Sequence, residues 1–376
     1  MAHRIVSDVN IKGQLTVQDD VSAGELYGDA SDLTNLQVDE TLYLTETSTN
    51  LSDFSFIETD PYSIGSSNKI MTQKAYKEYV DNIYKKVDKT QGFVVAGSSS
   101  GNSTSVIQKF DFSSNVTASS HGNIRYTTDS LSGNQSSING YTSGGYNTSS
   151  SINRFLFSSN TEAIDHGILS SGRRELSAQS SKTQGFNSGG LNLKTIDKFD
   201  FSSNIQAVDH GDLIIGKSGA GGHQSSTQGF SSAGLNTGGT VYASIDAFDF
   251  SSNITATDHG DLSQTRAFQA DQSSDIEGFA CGGNPFGTTV YSTIEKFNFA
   301  TASTVSGHGD ISFARGRLTG CSGATQGFSC GGYYLAPGTV FTTLNIIDKF
   351  DYSSNVTSLD HGDLFSARSS PTGVEG

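Results

Sequence analysis

The chain has 376 residues, a net charge of −15, 43 glycines, 23 phenylalanines, 14 tyrosines and no tryptophan. Its 38 acids against 23 Lys and Arg make it a poor binder of phosphate backbone, so no nucleic-acid partner is expected. No apolar run nears the roughly 18 residues of a membrane helix, the start MAHRIVSDVN has no apolar leader core, and three sparse cysteines (Cys281, Cys321, Cys330) give no disulfide framework. A Gly-, Ser- and aromatic-rich composition points instead to many short strands and tight turns, an all-β fold.

Residues 1–66 open the chain with short alternating runs at Ile5–Ile11, Gln14–Val17 and Leu42–Thr45, which read as strands of an elongated β-rich segment. Residues 67–89 form a connector, with a helix predicted from Thr72 to Val87. Thr72 caps it, and Tyr76, Val80, Ile83 and Val87 are spaced 4, 3 and 4 apart along one seam. That stripe is too short to fold alone. It predicts association with copies of the same chain; the competing reading is a single helix packed on the domain that follows.

The stretch IKGQLTVQDDVSAGELYGDASDLTNL (11–36) resembles the shaft or attachment repeats of tailed-bacteriophage fibre proteins. The stretch SSNKIMTQKAYKEYVDNIY (66–84) resembles the short helical segment between shaft and tip of such fibres. The resemblance implies a homotrimer whose N-terminal part docks on other virion proteins, in the tail, neck or baseplate. It also implies a protein made in the host cytoplasm and carried in the virion.

Residues 90–376 are a sixfold repeat: TQGF, a glycine pair, IDKFDFSSN, then DHGDL. The aromatic recurs at Phe93, Tyr141, Phe186, Phe230, Phe279 and Phe328, and the isoleucine at Ile107, Ile152, Ile196, Ile245, Ile294 and Ile347. The histidine recurs at His121, His166, His210, His259, His308 and His361. From isoleucine to histidine the interval is always 14 residues, and from histidine to the next aromatic always 20. From aromatic to isoleucine it is 14, 11, 10, 15, 15 and 19. A strand cannot absorb an odd insertion without turning its side chains over, so this segment is a loop.

Four strands can be read in each copy. In one copy they lie at Arg266–Ser274, Gly278–Cys281, Ile294–Phe299 and about Ser303–His308. Ser-Ser-Asn after the third strand is a turn, and glycine pairs such as Gly189–Gly190 end the second strand. Six radial sheets bury both faces against their neighbours. The block begins on its second strand and ends on its first, SARSSPTGVEG (366–376), so the C-terminal strand is predicted to complete the first blade.

Arg266, then Phe279-Ala280-Cys281-Gly282-Gly283, then Phe297 and Phe299 resemble the blade of the kelch-type β-propeller, over about three-quarters of the chain. The tryptophan usual near that family's fourth strand is replaced by the DHGDL phrase. The predicted fold is therefore a six-bladed kelch-like propeller behind an elongated attachment segment.

The six histidines invite a metal or catalytic reading. Equivalent positions lie one per blade on a ring, so turns that bond backbone groups or the next blade are the expected role. The Asp-His-Gly-Asp phrases (Asp209 and Asp212, Asp258 and Asp261, Asp360 and Asp363) lack the dense alternating acids of a calcium loop. Cys281 and Cys330 stand where Ser188 stands in another copy, small side chains for a buried position. No catalytic residue, cofactor or metal is expected.

All length variation falls on one face of a propeller, and insertions of that kind often mark a binding side. The longer loops carry Tyr242, Phe286, Tyr291, Tyr333, Tyr334 and Phe341, the candidate contact residues for a host glycan or protein. The leading expectation is a non-enzymatic virion structural protein, a tail or neck fibre. Its rivals are a purely architectural spacer and a glycan-processing enzyme, the last of which requires one asymmetric cluster of acids or arginines.

Overall fold

The computed structural model describes residues 89–376 apart from 100, 148, 286–288, 303–304 and 337–339. The shaft strands expected in 1–66, the helix from Thr72 to Val87 and its seam of Tyr76, Val80, Ile83 and Val87 lie outside the described residues, as does Phe286.

Six antiparallel sheets, each built on four strands, make six blades. Their inner strands are Thr372–Glu375 (blade 1), Leu131–Gln135 (blade 2), Ser177–Ser180 (blade 3), Gly221–Gln224 (blade 4), Ala270–Ser273 (blade 5) and Thr319–Ser322 (blade 6). Successive inner strands are neighbours around a central axis. Blade 1 is closed by both ends of the repeat: Thr372–Glu375 pairs with Gln91–Val95, and Val374 stands opposite Phe93. The ring is thus joined by strand pairing between residues nearly a full repeat block apart, and the six inner edges are short and face one another around the axis.

The strand bounds differ from the expected ones in two places. In blade 5 the inner strand begins at Ala270 rather than Arg266. Phe268 has φ +57°, a left-handed conformation that breaks the extended chain, and Arg266 turns back into its own blade. The outer strand is Ser306–Asp310, later than predicted, because the turn before it still holds Phe299 and Val305 in the core.

The core lies between blades. Tyr141 stacks on Phe201, Phe186 on Phe250, and Phe230 on Phe299, with centroids 4.6, 4.6 and 4.7 Å apart, each pair crossing from one blade to the next. Phe279–Tyr352, Phe328–Phe112 and Phe93–Phe157 complete the ring at 4.8, 4.4 and 4.9 Å. Stacked pairs of this kind add about 0.5–1.5 kcal/mol each beyond their buried area. The glycine before each aromatic is explained at Gly185, where an added Cβ would lie 2.5 Å from the Phe199 ring. Among the described residues no helix is long and apolar enough to cross a membrane.

Candidate functional site

The repeated histidines bind blade to blade. His166 Nε2 donates to the Asp200 carbonyl of the next blade at 3.0 Å. His121, His210, His259, His308 and His361 do the same to Leu156, Asp249, Asn298, Asp351 and Asp111, each at 2.8 Å. A register shift between third and outer strands recurs beside each histidine, as at Thr195/Asp197, and such bulges re-aim side chains. Burial lowers the pKa of His121, His166, His210 and His361, so each ring is held neutral with its proton on Nε2. The Asp209, Asp258 and Asp360 carboxylates accept from the N–H of Gly211, Gly260 and Gly362, two residues on. No group of three or more His, Cys, Asp or Glu among the described residues is placed to hold a metal ion.

A second ring consists of buried cations, of which the sequence reading singled out only Arg266. Arg173 pairs with Asp197 at 2.5 Å, Lys217 with Asp246 at 3.3 Å, Arg266 with Glu295 at 2.7 Å and Arg315 with Asp348 at 2.8 Å. Blade 1 keeps the cation, Arg368, but has Gln108 at the acid's position. Arg368 donates to the Ala96 and Val106 carbonyls, and burial pushes its guanidinium down to about 10. Blade 2 has Asn153 there. The signal was visible in the residue after each repeat isoleucine: Gln108, Asn153, Asp197, Asp246, Glu295 and Asp348.

At one mouth of the axial channel the backbone stays sixfold regular while the side chains differ from blade to blade. Six residues there, one per blade, close a backbone ring. The N–H groups of Ser130, Glu175, Gly219, Phe268, Arg317 and Ser370 each donate to the carbonyl of a ring neighbour at 2.7–2.9 Å. All six have φ between +52° and +61°. Only glycine adopts that region freely, and five of the six are not glycine. Three carry large side chains, and these meet. The Arg317 guanidinium lies 3.9 Å from the Phe268 ring centroid. It reaches across the mouth to Glu175 at 3.5 Å, with both side chains partly exposed.

The length-variable loops stand around this mouth. In blades 1, 4, 5 and 6 the loop is tied to its own crossover by an isolated bridge: Ser98–Ser369, Leu235–Ser218, Asn284–Ala267 and Tyr333–Gly316. These are the four blades with the longest loops. Together with Glu175, Phe268 and Arg317 they line an open cavity of about 710 Å³. In blade 6 the insertion folds as a hairpin, Tyr333–Ala336 with Val340–Thr343. Acids in the described loops and crossovers of this face number two, Asp129 and Glu175, and the Ser103 and Ser130 hydroxyls donate to Asp129.

The candidate aromatics separate here. Phe341 is 65% exposed and lines the cavity. Tyr333 lines it too but is nearly buried, edge-on to Phe341 at 5.0 Å. Tyr242, Tyr291 and Tyr334 are half-buried: the Tyr242 hydroxyl accepts from Asn236, Tyr291 packs under Arg266, and Tyr334 packs on Phe313. Glu175, Phe268 and Arg317 escaped the sequence reading because they sit in crossovers of ordinary length. Their one signal is that they occupy the repeat position two residues before an inner strand.

No protein-family model matches the chain, and no curated protein does. Among solved structures it is similar to that titled "Structure of YjhT", with a TM-score of 0.57 and 10% identity over 67% of this chain and 88% of that one. At that identity the likeness is one of fold.

Proposed function

We propose that the chain is a non-enzymatic structural protein of a tailed-phage particle. Its N-terminal segment anchors it, as a homotrimer, to other tail, neck or baseplate proteins. Its propeller meets the host surface, or a neighbouring virion protein, through the loop face. The resemblance of residues 11–36 and 66–84 to fibre shafts and connectors supports the particle. The observation that carries the contact surface is the cavity at the axial mouth, walled by the four longest loops and floored by three unlike side chains, Glu175, Phe268 and Arg317, at one repeat position. Immunogold labelling of purified particles tests the location: grains on the tail or neck support it, and particles without label sink it.

One observation favours a second reading. A glycan-processing enzyme requires one asymmetric cluster of acids or arginines, and Glu175 with Arg317 supplies one acid and one arginine toward it. Hydrolysis needs two working carboxylates on a bound sugar. Release of reducing sugar from host glycans by the purified chain would favour that reading over the first.

A further inference from the structure

We infer that the loop-face cavity is a site for a neutral saccharide, with Glu175 and Arg317 holding its hydroxyls and Phe341 its apolar face; this rests on the reading of the loop face as the contact surface. The charged side chains lining the cavity are Glu175 and Arg317. They are of opposite sign and already paired, so the site carries no net charge. A carboxylate or sulfate on the ligand would have to displace Glu175 from Arg317, and an ammonium group would have to displace Arg317 from Glu175. Either exchange trades one partly exposed ionic contact for another, so a charge on the ligand gains little over the pair as it stands.

A pair of adjacent sugar hydroxyls fits both groups as they stand. One hydroxyl donates to the Glu175 carboxylate, and the neighbouring oxygen accepts from the Arg317 guanidinium. The Arg317 plane is already fixed by its contact with Phe268, and the backbone of both residues is fixed by the closed ring. The remaining polar lining is uncharged: the hydroxyls of Ser98, Ser369, Thr342, Thr343 and Tyr333 and the carboxamide of Asn284. Phe341, exposed on the hairpin, offers a flat apolar surface to the C–H face of a pyranose. The volume of about 710 Å³ is in the range of small-ligand pockets.

Ligand-observed NMR on the full chain tests this. The panel holds neutral hexoses, N-acetylhexosamines and their disaccharides, with glucuronate and glucosamine as acidic and basic counterparts. Saturable binding of a neutral sugar is expected, weakened at least tenfold by Phe341→Ala and by Glu175→Gln. Phe341→Ala removes an exposed ring, so its unfolding temperature should match the parent's. Binding confined to charged sugars, or neutral binding that Phe341→Ala leaves intact, overturns the inference. The same preparations are added to host cells. Cell binding that needs the hairpin, without any sugar binding, sinks the saccharide and leaves the contact face standing. Absence of both sinks the two together.

Discussion

Arg317 and Glu175 belong to blades on opposite sides of the axis, yet their side chains meet at 3.5 Å across the channel mouth. Their backbones are already joined through a continuous ring of six hydrogen bonds. The ring, and not the ion pair, therefore holds the mouth. Both side chains are partly exposed, and pairs of that kind contribute roughly 0–1 kcal/mol. Glu175→Ala is expected to lower stability by less than about 1 kcal/mol in denaturant unfolding. A larger loss would make the pair a structural strut instead of a ligand-facing group.

The buried cations behave differently. Glu295→Ala leaves Arg266 enclosed without its carboxylate and is expected to cost about 3–5 kcal/mol. Blade 1 offers the converse experiment. Gln108→Glu places an acid at the position its counterparts occupy beside Arg173, Arg266 and Arg315. It is expected to raise stability by about 1 kcal/mol and to lift the Arg368 pKa from its lowered value. Thermal unfolding of the two variants against the parent checks both signs.

Acid should weaken the propeller through its histidines. Burial pushes His223 down to about 4 from 6.5, and it lowers His121, His166, His210 and His361. Between the folded and unfolded pKa values the unfolded chain binds more protons. The stability is therefore complete above about pH 6.5 and is lost as pH falls, with His223 alone accounting for about 3 kcal/mol by pH 4. Unfolding in urea from pH 8 to pH 4 should show the fall. His223→Gln should flatten part of it.

Asp271 has the opposite sign. It lines the axial channel, where its neighbours around the ring are Gly133, Ala178, Gly320 and Gly373, and its carboxylate accepts from the Gly222 N–H. Burial raises its pKa from 3.8 to about 7, with Glu375 adding repulsion. The folded state then binds the extra proton, so stability is lost as pH rises from about 4 through 7. Asp271→Asn keeps the acceptor and removes the charge. It should raise the unfolding temperature at pH 8 and change it little at pH 4.

Closure by the last strand makes the C-terminus structural. Deleting residues 372–376 strips the inner strand from blade 1 and uncovers Phe93, which packs against Val374 in the same core. The expected result is loss of a single cooperative unfolding transition, read by calorimetry.

The six blades, the closing strand and the loop position were all legible, because packing fixes two of the three intervals in every repeat. The TQGF glycine and the two phenylalanines of IDKFDF announce the interblade stack that the structure contains. The mouth was not legible. Glu175, Phe268 and Arg317 lie 44 to 53 residues from the same position in neighbouring copies, and their meeting depends on the ring being closed. Aromatic content does not say how each loop ring is used: Tyr333 lines the cavity and also packs edge-on to Phe341, whereas Phe341 stands exposed.

The most direct measurement is binding of the full labelled chain to intact host cells, with and without its loop-face groups. The comparison form replaces Tyr333–Thr343 by a short Gly-Ser link and carries Arg317→Ala. Saturable binding by the parent and a loss of at least tenfold in the altered form is the predicted result. Equal binding by the two, with both folded, would contradict the loop face as the contact surface.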